Sequence, residues 1–551
     1  NSNNNNNNTP SNAEVKNTRA IFYNFVQTYS RNNPQNPNHL REKIRTLRPG
    51  YLQEIVTIIG CKNININCLP ERRQLLNTLR EICEEGRLAN DTLTPDQRKK
   101  LDEYHKYNND NNNKINNIHI HGPAGSGKTY LALDFITKEI KHNSKTKILF
   151  VCTKNGFAKF LARWILIRII NTKEEDKSDD ETKEDDATKY NPQYILNCIH
   201  FCTENTGYKA HQGILKQDSD DQPVYLHFDQ IQDTDRVDEY NLIVVDEAHH
   251  IIHEKNKEWK QICRDFFYKA KKRIILTDPS QDPLNMNNIR KKLAKAAAEE
   301  DEDDDQTMEN IYNIELNDVV RSTQRITLAS HLFKHTEQTP TCKTKPFGEA
   351  VKMFMVDVQN DQILNAYVRT TIEAIKYAKN RKSHDEGFWD LNHRISIIIP
   401  GDSAKFDQHE FKTLLQSELN SSTKRRRRVK FELFSAEEMF GKFPQLEYKS
   451  VEMVVDTISN QDGLEYDVAI VVGFGVKINE LRTQHNKDKT TLYRAMTRAK
   501  DCLIIVNEPV KDGYFHSTIT DTTFKDDESL KKEDEGRELV VPIRDANNDE
   551  K

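Results

Sequence analysis

The stretch that decides the fold is IHIHGPAGSGKT, from Ile118 to Thr129. Residues with strand character, Ile118–His121, run directly into a glycine-rich loop, and apolar residues at helical spacing follow from Leu131 to Ile140. A strand, a glycine-rich loop and a helix in this order direct successive backbone N–H groups to a helix N-terminus, where they can bind phosphate. The stretch therefore predicts a nucleotide-phosphate site in an α/β domain.

Each residue of this loop has a predicted part in nucleotide binding. The ammonium of Lys128 is predicted to reach the β- and γ-phosphates, and the hydroxyl of Thr129 to hold a magnesium ion. The glycines allow the backbone to approach the β-phosphate closely. The residues predicted to bind nucleotide here are Gly122, Pro123, Ala124, Gly125, Ser126, Gly127, Lys128 and Thr129.

A second acidic site follows the apolar strand Leu242–Val245, in NLIVVDEAHH. Asp246 is predicted to be the other magnesium ligand, and Glu247 to take a proton from the attacking water. This pair indicates hydrolysis rather than nucleotide storage, although two acids after a strand could instead cap the next helix. The neighbouring His249, His250 and His253 are interpreted as structural or coupling residues rather than metal ligands.

Short apolar strands alternate with helical stretches along much of the chain. Such strands are expected where helices cover both faces of a sheet, so each series predicts a parallel α/β sheet. The first series is Ile118–His121, Lys147–Cys152, Leu242–Val245 and Arg273–Leu276, and the second is Val351–Val356, Ile395–Pro400, Val451–Val455, Val468–Val472 and Leu503–Val506. The predicted fold class is α/β, with two domains in tandem.

The flanking segments differ in composition. The asparagine-rich N-terminus cannot bury enough apolar surface to become ordered, whereas the residues that follow carry apolar side chains at helical spacing. That helical region is expected to pack against the next domain or, alternatively, to bind a protein partner. The predicted domains are 1–12 (disordered), 13–92 (helical), 93–318 (first α/β domain, with an acidic insertion near 172–190), 319–510 (second α/β domain) and 511–551 (flexible charged tail).

Composition limits the classes of protein. The longest apolar stretch, near Trp164 to Ile170, is far shorter than the ~20 residues that a membrane-spanning helix needs. The nine cysteines show no paired spacing, which favours a reducing compartment. An intracellular protein, nuclear or cytoplasmic, with no membrane partner is predicted. KRRRRVK, Lys424–Lys430, is a nuclear localisation signal, a phosphate-contacting patch or an ordinary solvated charge run.

The formal net charge of -5 conceals a strong segregation of acidic residues. Glu174–Asp186 holds nine acids and two lysines, and Glu299–Asp305 is seven acids in a row. Outside these runs the chain is net basic, which is compatible with a polyanionic partner and is also an ordinary balance for a protein of this length.

The remaining segments, in their order, resemble the motifs of superfamily 1 helicases, closest to the UvrD/Rep type, from about Leu93 to Val506. The matching segments are LTPDQ (Leu93–Gln97) for the Q motif, KILFVCTKNGFAKFL (Lys147–Leu161) for motif Ia, LTDPSQ (Leu276–Gln281) for motif III, LNDVVRSTQRI (Leu316–Ile326) for motif IV, DTISNQDGLEYDVAIVV (Asp456–Val472) for motif V and LYRAMTRAKDCLIIV (Leu492–Val506) for motif VI.

This resemblance implies two tandem RecA-like P-loop domains, ATP and Mg²⁺ as ligands, and an ATP-dependent translocase or helicase acting on single-stranded nucleic acid. It further implies that Gln97 reads adenine, Gln281 senses the γ-phosphate, Gly463 lies near the γ-phosphate, Glu465 lies near the ribose, and Arg321 and Arg498 reach the phosphates from the second domain. Such arginines stabilise transition-state charge only when the second domain closes on the first. Thr153, Lys154 and Thr457 are candidate contacts for the strand.

Three departures from the family pattern affect the expected activity. Val320 stands where an adenine-stacking Tyr is usual, and Asp282 follows motif III where a base-stacking aromatic is usual. The segment from Arg321 to Gly463 must hold most of the second core domain, which leaves no room for the large accessory domain of UvrD-type enzymes, so weak strand separation is expected. This compact organisation also resembles the helicase-like domains of Schlafen proteins. The alternative function is a nucleotide-controlled signalling or scaffold protein.

Overall fold

A computed structural model of the chain describes most of the two predicted α/β domains. The predictions for the first 92 residues, the acidic runs, Gln281 and the basic run 424–429 lie outside the described residues. The described residues are 93–110, 116–143, 145–172, 192–216, 225–231, 239–251, 257–279, 311–333, 341–342, 348–357, 363–380, 395–401, 406–422, 430–442, 450–474, 490–508 and 540–543.

The first sheet has eight strands. They are β1 Asn117–His121, β2 Ile148–Cys152, β3 Ile199–Thr203, β4 Ala210–Lys216, β5 Tyr225–Gln230, β6 Leu242–Val245, β7 Lys272–Thr277 and β8 Ile311–Glu315. Their spatial order is β5-β4-β3-β2-β6-β7-β1-β8, with antiparallel pairing only at β3–β4 and β4–β5 among the described strands. The four strands predicted for this sheet, β1, β2, β6 and β7, pair in parallel, which confirms the predicted fold class. The antiparallel edge was not predicted; the short β3–β4 connection cannot make the long crossover that a parallel pair needs.

The second sheet has seven strands. They are β9 Val351–Met355, β10 Ile395–Ile399, β11 Lys430–Phe434, β12 Ser450–Thr457, β13 Tyr466–Val472, β14 Ala499–Asn507 and β15 Val540–Ile543, in the spatial order β11-β12-β10-β13-β14-β9-β15. All neighbouring strands in this sheet pair in parallel. Strand β15 comes from the segment predicted to be a flexible tail, so that prediction is wrong for these four residues, which pair with β9.

Helices connect and cover the strands. They are α1 Pro95–Asp110, α2 Lys128–His142, α3 Asn155–Thr172, α4 Pro192–Asn197, α5 Ala248–Ile251, α6 Lys257–Ile262, α7 Gln324–His331, α8 Ile363–Asn380, α9 Gln408–Ser422 and α10 Ala436–Gly441. A further helical segment covers 490–496. Among the described helices, none combines the length and the apolar composition that crossing a membrane requires.

Alternation along the strands explains why helices lie on both faces of the second sheet. Ile397 of β10 packs into a buried cluster with Phe411 of α9, whereas its neighbour Ile398 packs with Ile326 of α7 and Leu492 on the other face. Because successive strand side chains point to opposite faces, an apolar strand needs a partner on each side. The result is the covered α/β sheet that the sequence predicts.

The chain divides into two compact units. One contains Leu93–Arg163, Thr182–Phe443 and Ser450–Lys551, and therefore holds both sheets. The other contains Asn1–Thr92, Trp164–Glu181 and Pro444–Lys449, of which the C-terminal part of α3 is described.

Candidate nucleotide-binding and catalytic site

The glycine-rich loop follows β1 and ends at the N-terminus of α2. Gly125 and Gly127 adopt left-handed backbone conformations, with φ of 79° and 87°, which side chains other than glycine rarely tolerate. At Gly122 a Cβ atom would lie 2.2 Å from the carbonyl oxygen of Leu316. Conformation and close approach therefore both require glycine in this loop, as a phosphate-binding loop does.

The loop encloses polar groups suited to phosphate. Lys128 Nζ donates to the carbonyl oxygens of Gly122 at 2.9 Å and Pro123 at 3.1 Å. The buried Ser126 Oγ has no hydrogen-bond partner within the described residues. An ammonium and an unsatisfied hydroxyl at a helix N-terminus are placed to bind phosphate oxygens.

The predicted magnesium ligands lie side by side. Thr129 Oγ1 donates to Asp246 Oδ2 at 2.9 Å, and Asp246 Oδ1 accepts the backbone N–H of Glu247 at 2.8 Å. Burial, followed by the charge of Glu247, raises the pKa of Asp246 above its usual range. A hydroxyl and a buried carboxylate are hard oxygen donors of the kind that Mg²⁺ prefers, so these residues fit the ion.

Glu247 has the strained backbone of a functional position. Its φ is 49°, in the left-handed region that non-glycine residues seldom occupy. Burial raises the pKa of its carboxyl, but electrostatic interactions with His249 and Lys128 outweigh burial and lower that pKa below its usual range. The carboxylate is therefore ionised at neutral pH, as a proton acceptor must be.

His249 is oriented by the end of β7. Its Nδ1 accepts the backbone N–H of Asp278 at 3.3 Å, so hydrogen bonding assigns the ring proton to Nε2, which lies 3.3 Å from Glu247 Oε2. Side-chain ligand atoms of Glu247, His249 and His250 all lie within 4.8 Å of one another. A protonated Nε2 cannot bind a metal, so the geometry favours an orienting role for His249.

Gln97 lies against the glycine-rich loop. Its Oε1 accepts the backbone N–H of Thr94 at 3.0 Å, and its Nε2 donates to the carbonyl oxygen of Ser126 at 2.9 Å. Each end of the amide retains one further hydrogen-bonding position. Gln97 thus holds the end of the loop, a contact that sequence reasoning missed.

The segment that leads into the second domain also contacts the loop. The backbone N–H groups of Val320 and Arg321 donate to the carbonyl oxygen of Gly125 at 2.9 and 3.2 Å. Ala124 packs into the buried cluster that contains Ile326 and Tyr493 of the second domain. The loop is therefore enclosed by residues of both domains.

Arg321 and Glu465 form an ion pair beside the loop. Arg321 Nε donates to Glu465 Oε2 at 2.7 Å, and Lys500 pairs with the other carboxylate oxygen. Arg321 Nη1 also lies 3.5 Å from the carbonyl oxygen of Thr497. Glu465, for which the resemblance implies a position near the ribose, here anchors a predicted phosphate-binding arginine.

Arg498 is 1% exposed, and backbone groups of its own domain hold it. Its Nε donates to the carbonyl oxygen of Arg494 at 3.0 Å and its Nη1 to that of Leu464 at 3.3 Å. Burial, together with the charge of Arg321, lowers the pKa of Arg498. The charge of Glu247 in the first domain raises the pKa of Arg498 and so opposes this shift. The predicted base and the predicted arginine therefore lie in one site.

A second contact between the domains involves α3 and α10. Glu437 Oε1 accepts from Asn155 Nδ2 at 3.2 Å and from Lys159 Nζ at 3.1 Å. Gly463 has a φ of 80°, and a Cβ there would lie 2.5 Å from the ring of Phe157. The capping-box sequence SAEE marks the start of α10, but no sequence signal identifies these partners.

The residues predicted to contact single-stranded nucleic acid lie at the carboxyl ends of β-strands. Lys154, just after β2, pairs with Glu204 at 2.6 Å. Thr457 ends β12, and its Oγ1 accepts the backbone N–H of Asn460 at 3.3 Å. In open α/β sheets this edge is where ligands bind.

Comparison with known proteins matches part of this chain to one family model. Residues 90–277 match the family described as type III restriction enzyme, res subunit. No curated protein matches. Among solved structures, the C-terminal domain of a possible DNA helicase from Lactobacillus plantarum WCFS1 is similar over 34% of this chain and 86% of that chain, with 15% identity and a TM-score of 0.21.

The fold and the site define a P-loop protein of the α/β class. The family match spans the phosphate loop, the acidic pair and strands β1 to β7 of the first sheet, and the parallel strands of both sheets agree with tandem RecA-like domains.

Proposed function

We propose that this chain hydrolyses ATP with Mg²⁺ between its two domains and uses the cycle to translocate on single-stranded nucleic acid, as a superfamily 1 enzyme of the UvrD/Rep type. The observation that carries the proposal is the convergence of both domains on one loop. Lys128 and Glu247 come from the first domain, and Arg321 contacts the loop through its backbone N–H from the segment leading into the second. Arg498 interacts electrostatically with Glu247 from the second domain.

The first domain supplies the groups for the chemical step. Thr129 and Asp246 would hold Mg²⁺, which would supply charge neutralisation at the phosphates. Lys128 binds the β- and γ-phosphates in exchange for its carbonyl partners in the loop. Glu247, whose Oε2 lies 3.3 Å from His249 Nε2, accepts the proton of the attacking water.

The second domain supplies positive charge for the transition state. Arg321 and Arg498 are both held by their own domain, through Glu465 and through the carbonyl oxygen of Arg494. Their positions relative to the γ-phosphate therefore depend on how that domain lies against the first. Hydrolysis is coupled to domain closure for this reason, since preorganised charge is most effective in a site that excludes water.

Single-stranded nucleic acid is proposed to cross the carboxyl ends of the strands of both domains. Thr153 and Lys154 are the candidate contacts in the first domain, and Thr457 in the second. Contacts to phosphates give binding with little sequence preference and strong salt dependence. Residues 13–92 are proposed to bind a protein partner.

The test is steady-state ATP turnover with and without single-stranded DNA and RNA. Single-stranded nucleic acid is expected to raise the ATP turnover of the parent protein strongly, because it binds across the two domains that must close. Glu247→Gln should bind ATP with little turnover, and Lys128→Ala should lose ATP binding. Equal turnover with and without strand would favour the nucleotide-controlled switch, and parental turnover in Glu247→Gln would refute the catalytic assignment.

A further inference from the structure

A third arginine of the second domain lies beside the catalytic groups without an assigned part. Arg494, in the helical segment 490–496, forms a two-pronged ion pair with Asp462. Its Nε donates to Asp462 Oδ1 at 3.1 Å, and its Nη2 donates to Asp462 Oδ2. The side chains are only 15% and 8% exposed. Paired contacts of this kind fix the plane of a guanidinium as well as its position.

The same residue supports the predicted catalytic arginine. The carbonyl oxygen of Arg494 accepts from Arg498 Nε and from Thr497 Oγ1, both at 3.0 Å. Asp462 directly precedes Gly463, whose backbone passes against Phe157 of the first domain. The Arg494–Asp462 pair therefore joins the helical segment that carries Arg498 to the loop that contacts the first domain.

The Arg494–Asp462 ion pair also interacts electrostatically with residues of the first domain. His250, three residues after the predicted base, interacts with both Arg494 and Asp462. Glu247 and Asp462 both favour the charged form of the Arg494 guanidinium. Burial, with smaller effects from His249 and Arg494, lowers the pKa of His250 to about 4. That imidazole is thus neutral at pH 7 and leaves the attraction between Arg494 and Glu247 unopposed.

We propose that Arg494 is a positioning residue for ATP hydrolysis: clamped by Asp462, it fixes the carbonyl group that holds Arg498 and maintains positive charge opposite Glu247. This inference rests on the proposed ATPase function. It assigns to Arg494 an effect on turnover rather than on nucleotide affinity, because its contacts lie with catalytic groups and not with the phosphate loop.

Substitutions of the pair test the inference. Arg494→Gln is expected to lower kcat by about 100-fold, because a misplacement of about 1 Å at a catalytic group can cost that much. KM for ATP should change little. Arg494→Lys should recover only part of the loss, since a single ammonium cannot hold both carboxylate oxygens in a fixed plane. Arg369→Gln, on the exposed side of α8, is the matched control and should match the parent.

A double-mutant cycle separates positioning from simple stabilisation of the fold. Asp462→Asn should lower kcat, and the double variant Asp462→Asn/Arg494→Gln should be no slower than the slower single variant. The charge-swapped variant Asp462→Arg/Arg494→Asp should restore thermal stability but not turnover, because it places an acid opposite Glu247. If Arg494→Gln unfolds at the assay temperature, Arg494→Lys and the charge swap are the variants compared.

Two results would overturn the inference while leaving the proposed function intact. One is parental kcat in Arg494→Gln, and the other is full recovery of kcat in the charge swap, each with an active parent and an inactive Glu247→Gln. An inactive parent would instead refute the proposed function, and this inference with it.

Discussion

At the residue scale, the position where the resemblance implies base recognition holds the small side chain of Val320 and the already hydrogen-bonded amide of Gln97. A Cβ at Gly127 would lie 2.3 Å from Gln97 Nε2 and 3.7 Å from Val320 Cγ2, so these two side chains flank the end of the phosphate loop. Val320 offers no aromatic face for stacking, and the Gln97 amide already has a partner at each end.

Weak selection of the base is therefore expected. Sites that discriminate strongly between hydrogen-bonding partners reach about 10⁴-fold, but they do so with dedicated buried groups. We predict that kcat/KM for ATP exceeds that for GTP by less than about 100-fold, measured under identical magnesium concentrations. A larger preference would mean that an aromatic side chain outside Gln97 and Val320 recognises adenine.

Single residues also show what the sequence alone could and could not predict. Thr129 and Asp246 lie within hydrogen-bonding distance of each other. The two local motifs predict this contact, because each motif fixes the conformation of its own loop. The Arg321–Glu465 ion pair joins residues 144 positions apart, and its formation depends on the packing of the second sheet. No periodicity or spacing encodes such a partner, so Glu465 could be placed only by resemblance.

At the scale of elements, β3 carries a buried histidine that makes the first domain sensitive to acid. His200 Nδ1 contacts the Tyr240 hydroxyl at 2.9 Å, and burial lowers its pKa from 6.5 to about 3. Between these two values the unfolded chain binds a proton that the folded chain does not. Stability is therefore lost as the pH falls below about 6.5.

The size of this loss of stability can be measured by replacing His200 with a neutral residue. From pH 7 to pH 5 the parent should lose about 2 kcal/mol through this residue. That loss corresponds to a fall in Tm of roughly 4–8 °C for a domain of this size. His200→Gln keeps a polar partner for Tyr240 and should escape this part of the fall. Identical changes in Tm for the two proteins would show that His200 does not titrate on unfolding.

The elements that departed from expectation did so for identifiable reasons. Strands β4 and β5 have mixed, half-exposed patterns rather than continuous apolar runs, because they form the antiparallel edge of the first sheet. Strand β15 contains only four residues in a charged tail, too short a pattern to stand out. The buried strands, such as β13, have apolar runs that predict their place in a covered sheet.

At the scale of the whole molecule, the two domains contact each other at several places among the described residues, and two of these flank the site. One is the phosphate loop, contacted by Val320 and Arg321, and the other is α3, contacted by Glu437 of α10 and by the loop at Gly463. Because the domains contact each other on both sides of the site, we expect a change at the phosphates to affect the edge where single-stranded nucleic acid is proposed to bind.

The central claim is that groups from both domains form one catalytic site, and the arginines of the second domain test it most directly. The measurement compares turnover and ATP affinity in Arg321→Ala and Arg498→Ala with those of the parent, and the control is Arg369→Ala, on the exposed face of α8. We predict a fall in turnover on the order of 10³-fold, as for arginine fingers, with ATP affinity changed much less. Parental turnover in both variants would contradict the account.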